Sequence, residues 1–132
     1  YRCRNSHALA DMDRLSFGDT NLLALLTPGH TYGGMCFVLD ESIFTGDTIF
    51  SEGCGVCNLR GGSAEQLFKS IQRIKSIVSE DSRVFPGHSY GINPGKTMKY
   101  LMDKNIYFII KDKQNFINFR MRKNQKGLLD FK

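Results

Sequence analysis

Three side chains in this sequence have the types and the placing to bind a metal ion together. His30 lies in Thr27-Pro28-Gly29-His30-Thr31, Asp47 in Phe44-Thr45-Gly46-Asp47-Thr48 and His88 in Phe85-Pro86-Gly87-His88-Ser89. Imidazole and carboxylate are donors that suit Zn²⁺ or Fe²⁺. Each follows a glycine, which lets the backbone turn sharply and hold the side chain over a cleft. Taken singly, each has a plainer reading: a histidine in a turn is more often a surface or hydrogen-bonded residue than a ligand, and Gly-Asp is an ordinary turn. Their joint occurrence at the ends of three predicted strands makes them candidates, because strand ends are where an α/β sheet gathers its site residues.

The elements that must position them can be read from the apolar pattern. The run from Leu22 to Leu26 ends at Pro28-Gly29, a buried strand stopping at a turn. Met35 to Leu39 and Ile43 to Thr45 flank Asp40-Glu41-Ser42 as a hairpin of short strands. From Ser63 to Ser79 the apolar residues Ala64, Leu67, Phe68, Ile71, Ile74, Ile77 and Val78 follow the spacing of an amphipathic helix. Ser63 is its expected N-cap, with Gln66 completing a capping box. A strand at Arg83-Val84-Phe85 stops at Pro86-Gly87-His88, and Asn93-Pro94 is expected to open a short helix through about Asp103. A last helix is expected from Asp112, burying Phe116, Phe119 and Ile117. Strands alternating with helices give an α/β architecture. There is no internal repeat, low-complexity tract or linker, so one unit over residues 1–132 is expected.

The bulk properties exclude several classes. With 132 residues, 41% hydrophobic and 23% charged, the chain can build a core, and its composition gives no sign of disorder. No apolar run approaches the roughly 20 residues that span a bilayer, and Tyr1-Arg2-Cys3-Arg4-Asn5-Ser6 does not open into a signal-peptide core. A cytoplasmic location without a membrane partner is therefore expected. The net charge of +5 is concentrated late, in Arg120-Met121-Arg122-Lys123 with Lys126 and Lys132, and reads as a solvated basic tail. No nucleic-acid motif accompanies it, so no nucleic-acid partner is expected. Cys3, Cys36, Cys54 and Cys57 are expected as reduced thiols. Cys54-x-x-Cys57 lacks the second pair that a four-thiolate zinc site needs. The aromatic residues Tyr100, Tyr107, Phe108, Phe116 and Phe119 are read as core packing rather than an acyl pocket.

Thr-Pro-Gly-His-Thr, then Phe-Thr-Gly-Asp-Thr-Ile-Phe, then Pro-Gly-His beyond an amphipathic helix resembles the metallo-β-lactamase superfamily in its glyoxalase II-like branch, over roughly residues 20 to 105. The resemblance implies the C-terminal half of an αβ/βα sandwich. It makes His30 the third histidine on a first metal, Asp47 the carboxylate bridging two metals, and His88 the last histidine on the second. Pro86-Gly87-His88-Ser89-Tyr90-Gly91, Asn105-Ile106-Tyr107-Phe108 and Phe119-Arg120-Met121-Arg122-Lys123 look more closely like the zinc-dependent hydrolases of bacterial polyketide biosynthesis.

In one respect the chain departs from the family's pattern. The His-x-His-x-Asp-His loop, which lies upstream of the matched stretch and supplies two ligands to each metal, is absent. The third histidine of the chain, His7, sits in Asn5-Ser6-His7-Ala8 and reads as a surface residue. Catalytic zinc normally takes three protein ligands, so weak or absent zinc binding is expected of this chain alone.

For the intact protein the resemblance implies two zinc ions and thioester hydrolysis by metal-bound hydroxide, with Asp47 positioning the metals. Glutathione-gripping members place a basic residue directly after Gly-Cys-Gly and an aromatic two positions on, where this chain has Val56 and Asn58. That favours a thioester of coenzyme A or of a carrier-protein arm. Tyr90 matches an aromatic lining the thiol-side pocket, and a packing role fits it equally well. Two alternatives stay open: a single-iron persulfide dioxygenase on the same scaffold, and a non-catalytic half-domain that self-associates through an exposed sheet face.

Overall fold

The structure, a computed structural model, describes residues 6–123. Its elements run β1 (Arg14–Phe17), β2 (Thr20–Leu26), β3 (Met35–Leu39), β4 (Ser42–Gly46), α1 (Ala64–Ile77), β5 (Arg83–Pro86), β6 (Lys96–Thr97), α2 (Met98–Lys104), α3 (Ile106–Ile109) and α4 (Lys113–Arg120). The six strands form one sheet in sequence order. All neighbours pair antiparallel except β4 and β5, which run parallel because α1 carries the chain back across one face between them.

Alternation divides the sheet into two apolar faces. Leu25, Cys36, Ile43 and Val84 point to the helices and are completely buried against Leu67, Ile71 and Ile74 of α1 and Leu101 of α2. On the other face the register aligns Ala24 with Phe37, Phe37 with Phe44 and Phe44 with Phe85. The rings of Phe44 and Phe85 stack at 5.5 Å, and Phe44 remains 41% exposed.

The expected β2, the β3–β4 hairpin, β5 and α1 are all present, and α4 begins beyond its Asp112 cap with Phe116 fully buried. Ser63 caps α1 through its side chain, which accepts from Gln66 N–H. The reciprocal half of the capping box is replaced by tertiary structure, since Ser63 N–H donates to Gly29 O at 2.7 Å.

The helix expected from Asn93 starts later. Residues 96–97 pair with β5, Thr97 accepts from Tyr100 N–H as the N-cap, and α2 begins at Met98. Asn93-Pro94 belongs to the loop before this pairing, which Gly95 N–H ties to Val84 O at 2.8 Å. The strand β1 and the short helix α3 had no strong periodic signal. Arg120 is buried rather than part of a solvated basic tail, and donates to the Tyr107 hydroxyl at 2.7 Å. Lys126, Lys132 and Cys3 lie outside the described residues. Cys36, Cys54 and Cys57 are free and buried, and desolvation pushes each of these thiols up from its ordinary range. No described helix is long and apolar enough to cross a membrane.

Candidate metal centre

His30, Asp47 and His88 stand beyond the ends of β2, β4 and β5, and the sheet brings them together. Gly87 N–H donates to Gly46 O at 2.8 Å, so the ends of the parallel pair leave the sheet side by side. Beneath them a buried hydroxyl layer closes the strand ends: Thr27 lies 3.4 Å from the Thr48 hydroxyl, and Thr45 donates to Ile49 O at 2.8 Å.

The His30 turn is fastened to α1. Gly29 has φ +147, and a side chain there would collide with the backbone of Leu67. Ser70 of α1 also donates to Pro28 O at 2.7 Å. His30 Nδ1 lies 2.8 Å from Val56 O, and since a carbonyl only accepts, the proton is on Nδ1. In neutral imidazole the lone pair is then on Nε2, which faces Asp47 Oδ2 at 3.7 Å. A backbone carbonyl on one ring nitrogen with the other left open is the usual arrangement around a metal-binding histidine.

Asp47 lies between the two imidazoles. Its Oδ1 takes a 2.6 Å hydrogen bond from His88 Nδ1. Two tightly packed glycines shape this centre by their lack of a side chain. A Cβ on Gly55 would enter the Asp47 carbonyl and come within 2.9 Å of the His30 ring, and one on Gly87 would lie 2.8 Å from Asp47 Oδ1.

The site loop after Asp47 is held from behind by a residue that the sequence marked only within the run Asn105-Ile106-Tyr107-Phe108, with no role of its own. Asn105 is 1% exposed, and its amide donates to both Phe50 O and Gly53 O at 3.0 Å while its oxygen accepts from Tyr107 N–H. An asparagine before a short apolar run looks like any helix cap, which Asn105 also is. Only the tertiary contacts reveal its second task. Tyr90, half-buried, stacks on His88 with centroids 6.1 Å apart and packs edge-on to Phe50 at 5.1 Å. His7 is exposed and apart from this centre.

These donors fit a metal in part. Two ligands about 2.1 Å from one tetrahedral ion stand roughly 3.4 Å apart, close to the 3.7 Å between His30 Nε2 and Asp47 Oδ2. The 2.6 Å contact of His88 with Asp47 is a hydrogen bond, so that imidazole must turn away before both could bind one ion. Among the described residues no group of three or more His, Cys, Asp or Glu is placed to hold a metal.

Comparison with known proteins shows what this chain is similar to. The chain is 58% identical over 132 residues to a protein of Bacillus subtilis named as a probable polyketide biosynthesis zinc-dependent hydrolase, covering 100% of this chain and 59% of the relative. It is 42% identical over 87 residues to a hydroxyacylglutathione hydrolase of Tolumonas auensis, covering 64% of this chain and 33% of that protein. The crystal structure of a metallo-β-lactamase from Staphylococcus aureus matches 89% of this chain and 40% of its own length, with a TM-score of 0.82 and 31% identity. The chain spans about 59% of the length of the Bacillus relative. No family model matches it.

Proposed function

We propose that the chain, similar to zinc-dependent hydrolases in sequence and to a metallo-β-lactamase in fold, is part of a metallo-β-lactamase-fold, metal-dependent hydrolase acting on a thioester of coenzyme A or of a carrier-protein arm. The observation that carries this reading is the open Nε2 of His30 facing Asp47, with the other ring nitrogen already engaged by Val56 O. His30 and Asp47 would hold one zinc ion, and Asp47 and His88 a second. When bound, such a centre supplies an activated water near neutral pH for attack on a carbonyl carbon.

The residues of this chain divide the remaining work. Asp47 aligns the two histidines and is itself seated by Gly55 and Gly87. Tyr90, stacked on His88, walls the thiol side of the substrate cleft. Val56 and Asn58 give a glutathione carboxylate nothing cationic to grip at those positions, which favours a different thiol carrier. Catalytic zinc normally takes three protein ligands, and His30, Asp47 and His88 are few for two ions, which favours weak zinc binding by this chain alone.

Zinc calorimetry on this chain tests the incomplete ligand set. A shallow isotherm is expected, and tight binding of two equivalents overturns the reading. In a protein extended to the length of the Bacillus relative, an acyl-coenzyme A or acylated carrier protein should be hydrolysed faster than the glutathione thioester. The reverse preference removes the substrate assignment.

A second reading rests on the aromatic row of Phe37, Phe44 and Phe85. An apolar sheet face of this kind favours self-association of the isolated chain. Sedimentation as a concentration-independent monomer would count against it.

A further inference from the structure

We propose that Glu52 is a positioning residue that sets His88 against Asp47 by carrying the loop from Ser89 to Ile92 on its carboxylate. The inference rests on the reading of Asp47 and His88 as parts of one centre, and its structural core can be tested without metal or substrate.

Glu52 lies in the loop after Asp47, yet its side chain serves the other site loop. Its Oε1 accepts from Tyr90 N–H at 3.2 Å and from Ile92 N–H at 2.6 Å, two and four residues beyond His88. Its own backbone is rigidly mounted, because Asn105 binds the carbonyls of Phe50 and Gly53 on either side of it. Behind this loop the isolated bridge between Ile49 and Cys54 closes the hairpin. Ser89 donates to Ile92 O within the loop, and the Tyr90 ring packs on Phe50.

Among the described residues the other oxygen, Oε2 of Glu52, is buried and has no hydrogen-bond partner, so the carboxylate acts on this loop through Oε1. An asparagine or serine could cap a single amide at less cost. A longer carboxylate placed between two anchored carbonyls spans the gap to two amides of a neighbouring loop. His88 is 58% exposed on its side chain and meets Asp47, Phe50 and Tyr90, and the last of these is the residue whose amide Glu52 holds.

The test uses the whole 132-residue chain, ¹⁵N-labelled and metal-free. In Glu52→Ala the amides of Tyr90 and Ile92 should exchange about tenfold faster than in the unsubstituted chain, while the amide of Val84 in β5 stays protected. The ring nitrogen signals of His88 should move and those of His30 should not. Glu52→Gln keeps an acceptor oxygen in the same place and should restore both. Unchanged exchange at Tyr90 and Ile92 in Glu52→Ala, or no restoration by Glu52→Gln, overturns the proposal. If Glu52→Ala does not fold, the unsubstituted chain decides: free exchange at both amides overturns it, and protection that persists in Glu52→Gln supports it. These outcomes do not depend on hydrolysis, so a failed hydrolase reading and a failed positioning role are told apart.

Discussion

The same tripeptide, Pro-Gly-His, delivers both histidines of the centre, and the two copies are built to different standards. Gly29 is pressed against α1, the Pro28 and Gly29 carbonyls are bonded by Ser70 and Ser63, and the His30 side chain is 20% exposed with its Nδ1 on Val56 O. Gly87 is tied to Gly46, but the His88 side chain beyond it is 58% exposed and folds onto Asp47. One histidine is fixed by the fold on its own. The other is placed by its partner and by the loop beyond it. Motif identity therefore specifies a backbone path and a donor type, and the packing around it decides whether the donor is preorganised.

The two glycines give the largest contrast. Gly29→Ala would place a methyl group inside the backbone of Leu67 at a φ that side chains rarely adopt. A loss of about 3 kcal/mol or more in urea unfolding is expected, since neither the helix nor the turn can yield locally. Gly87→Ala meets the Asp47 carboxylate at 2.8 Å, the end of a side chain that can rotate, so a loss of about 1 kcal/mol is expected with Asp47 displaced. Equal losses for the two variants would remove the distinction between a turn fixed by the fold and a turn fixed by its partner.

A smaller contrast is expected between the histidines themselves. His30→Ala leaves the Val56 carbonyl without its donor in a half-buried place and should cost about 1 to 2 kcal/mol. His88→Ala removes an exposed ring and should cost no more than about 0.5 kcal/mol. Unfolding of both variants under one set of conditions checks this, and a costlier His88→Ala would reverse the assignment of which histidine the fold secures.

Much of this was legible in the sequence because it is local. The apolar run of β2, the hairpin around Asp40-Glu41, the periodicity of α1 and the Asp112 cap are each encoded within a dozen or so residues, and all were realised. The placing of His30, Asp47 and His88 at strand ends, each behind a glycine, was legible too. What escaped depended on contacts distant in the chain. Asn105 holds carbonyls more than fifty residues away, Glu52 reaches amides near residue 90, and Arg120 is buried because the Tyr107 hydroxyl receives it. None of these leaves a periodic trace. The helix expected at Asn93 failed for a related reason: Pro94 suits a first helical turn, but β5 needed residues 96–97 as a pairing partner, and helix formation waited for the Thr97 cap.

The smallest effect tests how firmly the root of the His30 turn is held. Asp11 accepts from Leu26 N–H at 2.9 Å and from Arg73 at 2.8 Å, and Arg73 also donates to Leu26 O, so the carboxylate fastens the end of β2 to α1. The hydrogen bond from the Arg73 guanidinium is the main cause that lowers its pKa below the ordinary 3.8, assisted by the bond from Leu26. A carboxylate whose pKa is depressed in the folded state stabilises above its unfolded value and loses that contribution as pH falls through the folded one. The pair is solvent-accessible, which keeps the expected gain under about 1 kcal/mol. Asp11→Asn should therefore unfold slightly more easily than the unsubstituted chain at about pH 6, and the gap should close as the pH falls through the lowered pKa and Asp11 itself is protonated. A gap that persists unchanged in acid would mean that the charge of Asp11 contributes nothing, and that the His30 turn is held by α1 alone.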